Sequence, residues 1–264
     1  MNTHRNLLNA NSGLSSSLEK LSSGYRINKA ADDAAGLSIS QTFRATIASD
    51  TVAARNTSEA SSMLQVAEGG TEQIGNILTR LKELATQAAS DNVSDDDRDK
   101  IDAEATQLTD EITRISDSTT YGDTKLLDGT FSGKTFQVGA SNTGVNQITV
   151  GISGASASDL LGSSGIDLST NTGAQGALDS IDTAISDLNT TRGNIGAYMN
   201  RLSYASANLS STIENTTAAE STIRDVDMAA EMTTFTKNQI LMQAGTAMLA
   251  QANQAPQTIL SLLK

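Results

Sequence analysis

LDSIDTAISDLNTTRGNIGAYMNRLSYASANLSSTI (178–213) decides the fold. Leu178, Ile181, Ile185, Leu188, Arg192, Ile195, Met199, Leu202, Ser206, Leu209 and Ile213 follow at steps of 3 and 4 without a slip. Such steps put one apolar stripe along one side of an α-helix, at coiled-coil spacing. At 1.5 Å per residue the stripe runs ~54 Å, which suits a coiled-coil rod better than a globular helix. Arg192 and Ser206 are its only polar members. Each buried Leu or Ile contributes about 1.5–3 kcal/mol, so this stripe alone can sustain a bundle.

Toward the C-terminus the pattern crosses IRDVDMAAEM (223–232) and continues through Leu241, Gly245, Met248, Ala252, Ala255, Ile259 and Leu262, with Leu260 beside it. The opposite end answers it. A first helix is predicted over 4–29, with Leu7, Leu14, Leu18, Leu21 and Tyr25 on one face. Chain ends are usually solvated, so apolar ends imply termini that are buried against each other and against other copies. Their stripes hold many small residues, which predicts weak order in the isolated chain and ordering on assembly.

Between the ends, KAADDAAGL (29–37) interrupts the first helix, and periodicity resumes through Ile39, Phe43, Ile47, Met63, Leu64 and Val66. Gly69-Gly70 predicts a break or a loosening. A second run holds Ile74, Ile77, Leu78, Leu81 and Leu84, and a third Ile101, Ala105, Leu108, Ile112 and Ile115. Ser94, with Asp97 three positions on, predicts the N-cap of the third helix. From about 118 to 176 Gly, Ser, Thr and Asn dominate. TFQVGA (135–140) and NQITVGI (146–152) predict a β-hairpin joined by SNTGV, and the Ser-rich ISGASASDLLG (152–162) an exposed loop. The expected fold is mainly α: an elongated helical bundle or coiled-coil rod with a small β-hairpin near 135–152. Its N- and C-terminal helices pair in a terminal coiled-coil domain.

Composition agrees. Aromatic residues make up only 3% and there is no Trp, so a thin core is expected. One Pro in 264 residues leaves long helices unbroken. The formal net charge is −12, yet residues 1–47 hold five basic and three acidic side chains, so the acid sits in the middle. An acidic middle argues against nucleic acid as a partner, because phosphate contacts need Lys and Arg. No stretch of 18 apolar residues predicts a membrane span, and MNTHRNLLNANSG has no signal-peptide core. There is no Cys, so neither disulfides nor a thiolate metal site is expected.

Candidate chemistry is sparse. His4 is the only His and reads as a surface or interface residue. The Asp cluster at 91–99 lacks the spaced ligands, Gly and closing Glu of a calcium loop, and reads as a solvated helix start. No phosphate loop, nucleophile elbow or HExxH occurs. Neither an enzyme nor a cofactor is expected.

LEKLSSGYRINKAADDAAGLSIS (18–40) resembles the N-terminal signature of bacterial flagellins. NRLSYASANLSSTIENTTAAESTIRDVDMAAEM (200–232) and ILMQAGTAMLAQANQAPQTILSLL (240–263) resemble the C-terminal one. The resemblance implies a minimal form without large outer domains. Residues 1–40 and 223–264 would form the inner terminal-helix domain, and 41–222 the helical rod domain. It also implies polymerisation of identical copies into the extracellular flagellar filament, with export through the type III apparatus and no cleaved signal. Leu7, Leu14, Leu18, Leu21, Tyr25, Leu241, Met248, Ile259, Leu260 and Leu262 are the expected assembly residues. Implied partners are an export chaperone, the filament cap, hook-associated proteins and host Toll-like receptor 5. By the same resemblance LTRLKELATQAA (78–89) would carry the receptor motif, on Arg80 and Leu84, with Glu111 as the acidic partner from the next helix. A hook–filament junction protein, a secreted enzyme on a coiled-coil stalk and an intracellular scaffold are the rival readings.

Overall fold

The computed structural model describes residues 2–162 and 165–262, with side chains up to Ala252. The protein is mainly α. Its elements are α1 (Asn2–Ser23), α2 (Ala34–Ala88), α3 (Asp95–Ser118), β1 (Thr120–Tyr121), β2 (Thr124–Lys125), β3 (Lys134–Gln137), β4 (Gln147–Val150), α4 (Ala157–Leu160), α5 (Asn171–Arg224) and α6 (Met228–Leu262). They form two compact units, a terminal one of Met1–Ala48 with Ile213–Lys264 and a central one of Ser49–Thr212.

In the central unit α2 is one continuous helix through Gly69-Gly70, where a break or a loosening was expected. Its buried positions explain why: Ala53, Thr57, Ala60, Leu64, Ala67, Thr71, Ile74, Leu78, Leu81, Ala85 and Ala88 step 4 and 3 throughout. Gly70 is there for space, since a Cβ would come within 2.7 Å of Thr119 Oγ1 and 2.8 Å of Leu127 Cδ1. The predicted stripe of α5 is displaced in part. Ile181, Leu188, Ile195, Leu202 and Leu209 are buried as expected, but Ala177, Ala184 and Thr191 are buried instead of Leu178, Ile185 and Arg192. A helix covered by several elements needs a wider buried face than a two-helix seam. Arg192, at the edge of that face, reaches Glu68 of α2 at 2.7 Å.

Helix ends in this unit are closed by side chains. Ser94 caps α3 by accepting from the Asp97 amide at 3.3 Å, as its spacing predicts. The buried Arg98 closes the end of α2, donating to the Ala88 and Ser90 carbonyls at 2.9 Å each and pairing with Asp95 at 2.8 Å. The hairpin forms by pairing Lys134–Gln137 antiparallel to Gln147–Val150, with a 3-10 turn at Gly144–Asn146. The surrounding segment is not the exposed loop expected. Leu126, Leu127, Phe131, Ile152, Leu160 and Leu161 are buried in the same core as α2 and α5. Their spacing is irregular because α4, β1 and β2 are too short to impose a period.

In the terminal unit α1 stops at Ser23, short of the expected Lys29, because Gly24 adopts a φ of +76°. The stripe expected to cross 223–232 is likewise interrupted. Asp227 accepts from the amides of Ala229 and Ala230 at 2.9 and 3.1 Å and starts α6 afresh.

Candidate assembly surface

α1 and α6 run antiparallel, side by side, in the terminal unit. A Cβ on Gly245 would stand 3.2 Å from Leu7 Cδ1, and one on Gly13 2.9 Å from Asn238 Nδ2. Small residues let the two backbones approach. The covered face of α1 is Thr3, Leu7, Ala10, Leu14, Ser17 and Leu21, at steps of 4 and 3. That of α6 is Glu231, Phe235, Asn238, Met242, Gly245 and Leu249, at the same steps.

These seams correct the expected stripes. Leu7, Leu14 and Leu21 do lie in the α1 seam, half-buried. Leu18 does not: Ser17 takes the inner position, and Leu18 is 54% exposed. Leu241 and Met248 are also outside, at 48% and 61% exposed, with Met242 and Leu249 inside in their place, while Gly245 lies inside as expected. A 3-and-4 pattern can be drawn through neighbouring positions of the same helix, and the large apolar side chains drew it one residue off. Sequence reasoning also missed Leu8, Met228, Met232 and Ile240, all exposed. Met232, Thr233, Thr236, Lys237, Ile240 and Leu241 line an open groove on α6. The side chains of Ile259, Leu260 and Leu262 lie outside the described residues.

Tyr25 is half-buried between α1 and α2, under the Arg224 guanidinium, whose central carbon is 4.0 Å from the ring centroid. Nearby, Lys29 pairs with Glu19 at 2.8 Å, and this bond and its charge raise the Lys29 pKa. Asp32 accepts from the Lys29 and Asn28 amides at 2.9 and 3.0 Å, which lowers its pKa.

The three receptor-motif residues of the central unit are not brought together. Arg80 is exposed and reaches Glu104 at 2.9 Å and Glu83 at 3.0 Å, both of which raise its pKa. Glu111 pairs instead with Arg114 at 2.6 Å, which lowers the Glu111 pKa. Leu84 is 2% exposed and belongs to the core. The register has a plain cause. Arg98 locks onto Ala88 across the turn between α2 and α3, so residues equally far from that turn face each other. Arg80 is twelve residues before Asn92 and Glu104 twelve after it, whereas Glu111 lies two turns further on. Counting from the turn would have found Glu104 in the sequence.

Among the described residues no group of three or more His, Cys, Asp or Glu could hold a metal ion, and no helix is long and apolar enough to cross a membrane.

Comparison with known proteins points one way. Residues 1–132 match the bacterial flagellin N-terminal helical region, and 178–263 the bacterial flagellin C-terminal helical region. A flagellin of Halalkalibacterium halodurans is 43% identical, over 100% of this chain and 97% of its own length. A flagellin of Bacillus subtilis is 42% identical over the same shares. The crystal structure of Bacillus cereus flagellin superposes with a TM-score of 0.53 at 30% identity, covering 59% of this chain and 88% of that one.

Proposed function

This chain belongs to the bacterial flagellin family and is a structural subunit of the flagellar filament, and from that premise we propose that its α1–α6 pair is the surface through which copies polymerise. It is a filament protein and not an enzyme. The observation that carries the proposal is the apolar surface that the pairing of α1 with α6 leaves uncovered. The seam between α1 and α6 alternates Ala10, Ser17, Asn238 and Gly245 with half-buried Leu7, Leu14, Phe235, Met242 and Leu249, while Leu8, Leu18, Ile240, Leu241 and Met248 face outward. Paired helices that also carry a row of large apolar side chains outside their seam have surface left for further copies.

Seeded elongation of purified subunit tests this. Leu241→Asp or Leu18→Asp is expected to stop elongation, since a charge buried in the new contact costs several kcal/mol. Filaments of normal yield from both variants would refute it.

An export chaperone on the C-terminal helix, a filament cap, hook-associated proteins and export without a cleaved signal complete the proposal, supported by family membership. The full-length matches to flagellins favour a filament subunit over a hook–filament junction protein. For recognition by Toll-like receptor 5 the face to consider is Arg80 with Glu104 rather than Glu111, and Leu84 supports that face from within. Arg80→Ala should abolish receptor signalling by the monomer; an unchanged response would refute the assignment.

A further inference from the structure

Within the terminal unit the chain leaves helix twice, between α1 and α2 and between α5 and α6, and the two breaks are tied together. Tyr25 and Asp225 form an isolated antiparallel bridge. The Arg26 amide donates to the Arg224 carbonyl at 2.6 Å, and the Val226 amide to the Gly24 carbonyl at 3.0 Å. The Arg26 guanidinium donates to the Ile223 carbonyl, one of the last in α5. Arg224 lies over the Tyr25 ring and 3.7 Å from Glu220, whose carboxylate also accepts from the buried Ser40 hydroxyl at 2.9 Å. The Arg224 Nε is buried without a hydrogen-bond partner, so the π face of Tyr25 is what this part of the guanidinium has in place of water. Beside it Ile27 is 1% exposed, and a Cβ on Gly36 would come within 2.7 Å of Ile27 Cδ1.

The contrast with the α1–α6 seam gives this clip its meaning. In the seam only Ala10 and Ser17 are fully buried, and its larger side chains are half-buried. The clip is ordered by hydrogen bonds, a cation–π contact and close packing at the point where α1 ends and α6 begins. A helical polymer repeats one contact, so each copy must present its outward side chains in the same arrangement, and order present before binding lowers the entropic cost of it. We infer that Tyr25 and Arg224 are positioning residues for polymerisation: their clip fixes the direction in which α1 and α6 leave the ends of α2 and α5. This rests on α1–α6 being the assembly surface.

Amide exchange and seeded elongation on the full-length chain test it together. In the monomer the Arg26 and Val226 amides are expected to exchange at least about tenfold more slowly than those of residues 4–12 and 240–250. Tyr25→Leu should speed exchange at both amides and raise the concentration needed for elongation about tenfold, with the melting of the central unit unchanged. Tyr25→Phe keeps the ring face and should behave as wild type. If Tyr25→Leu does not fold, Arg224→Lys retains the charge without the planar stack and reads the same two quantities. Unchanged exchange at Arg26 and Val226 in these variants overturns the clip, and faster exchange with normal elongation overturns the positioning role. Normal elongation of Leu241→Asp would instead overturn the assembly surface, while the exchange result still judges the clip.

Discussion

The two units use the same helical spacing for opposite purposes. In the central unit the 3-and-4 stripe is filled with Leu64, Ile74, Leu78, Leu81, Ile181, Ile195 and Leu202, all at 0–1% exposure. In the terminal unit only Ala10 and Ser17 of the corresponding seam are fully buried; Leu7, Leu14, Phe235, Met242 and Leu249 are half-buried, and Leu8, Leu18, Ile240, Leu241 and Met248 are exposed. A seam of large side chains stabilises its own unit. A seam that is only half-covered leaves that stabilisation to be completed by another chain.

Substitutions in each unit test this contrast. The largest effect on monomer stability is expected in the central core: Leu78→Ala should cost about 2–5 kcal/mol, read as a lowered thermal midpoint. A cost below about 1 kcal/mol would mean the central stripe is not the core it looks like. Arg98→Ala should follow, at about 1–3 kcal/mol, because it strands the Ala88 and Ser90 carbonyls at the end of α2. Ser94→Ala removes one cap bond from α3 and should cost about 1 kcal/mol. In the terminal unit Leu241→Ala is expected to change monomer stability by no more than about 0.5 kcal/mol while slowing elongation. A large loss in the monomer would erase the difference between the units.

Acid should touch both units weakly and with the same sign. Asp32 in the terminal unit is held low by the Lys29 and Asn28 amides, and Asp97 in the central unit by Lys100 and then Ser94. A carboxylate whose folded pKa lies below its unfolded value of about 3.9 contributes stability that is complete above that value. The contribution is lost as pH falls through the folded pKa. A stability–pH profile should therefore decline below about pH 4, and Asp32→Asn should flatten part of that decline without altering the central unit's core.

Much of the central unit was legible in the residues. The α5 stripe, the Ser94 cap and the β3–β4 hairpin each rest on a short-range signal: periodicity, a hydroxyl three residues before an acidic one, and alternation around a Gly turn. Gly69-Gly70 misled because a glycine that makes room for Thr119 and Leu127 cannot be told locally from one that ends a helix. Leu126, Leu127 and Phe131 were hidden because irregular chain buries apolar groups without a period. In the assembly surface the stripe was found but set one residue off, at Leu18 for Ser17 and at Leu241 for Met242.

By itself the sequence determined that the chain is mainly helical, that its ends carry apolar stripes at coiled-coil spacing and that it belongs with self-assembling filament proteins. The first two follow from the order of side chains along a helix, and the third from the resemblance of 18–40, 200–232 and 240–263 to flagellin signatures. Only the tertiary structure decided which side of each terminal helix faces inward, that Arg80 meets Glu104 and not Glu111, and that Tyr25 lies under Arg224. Each depends on residues far apart in the chain coming within a few ångströms, and the geometry of the turns and breaks between helices sets which of them meet.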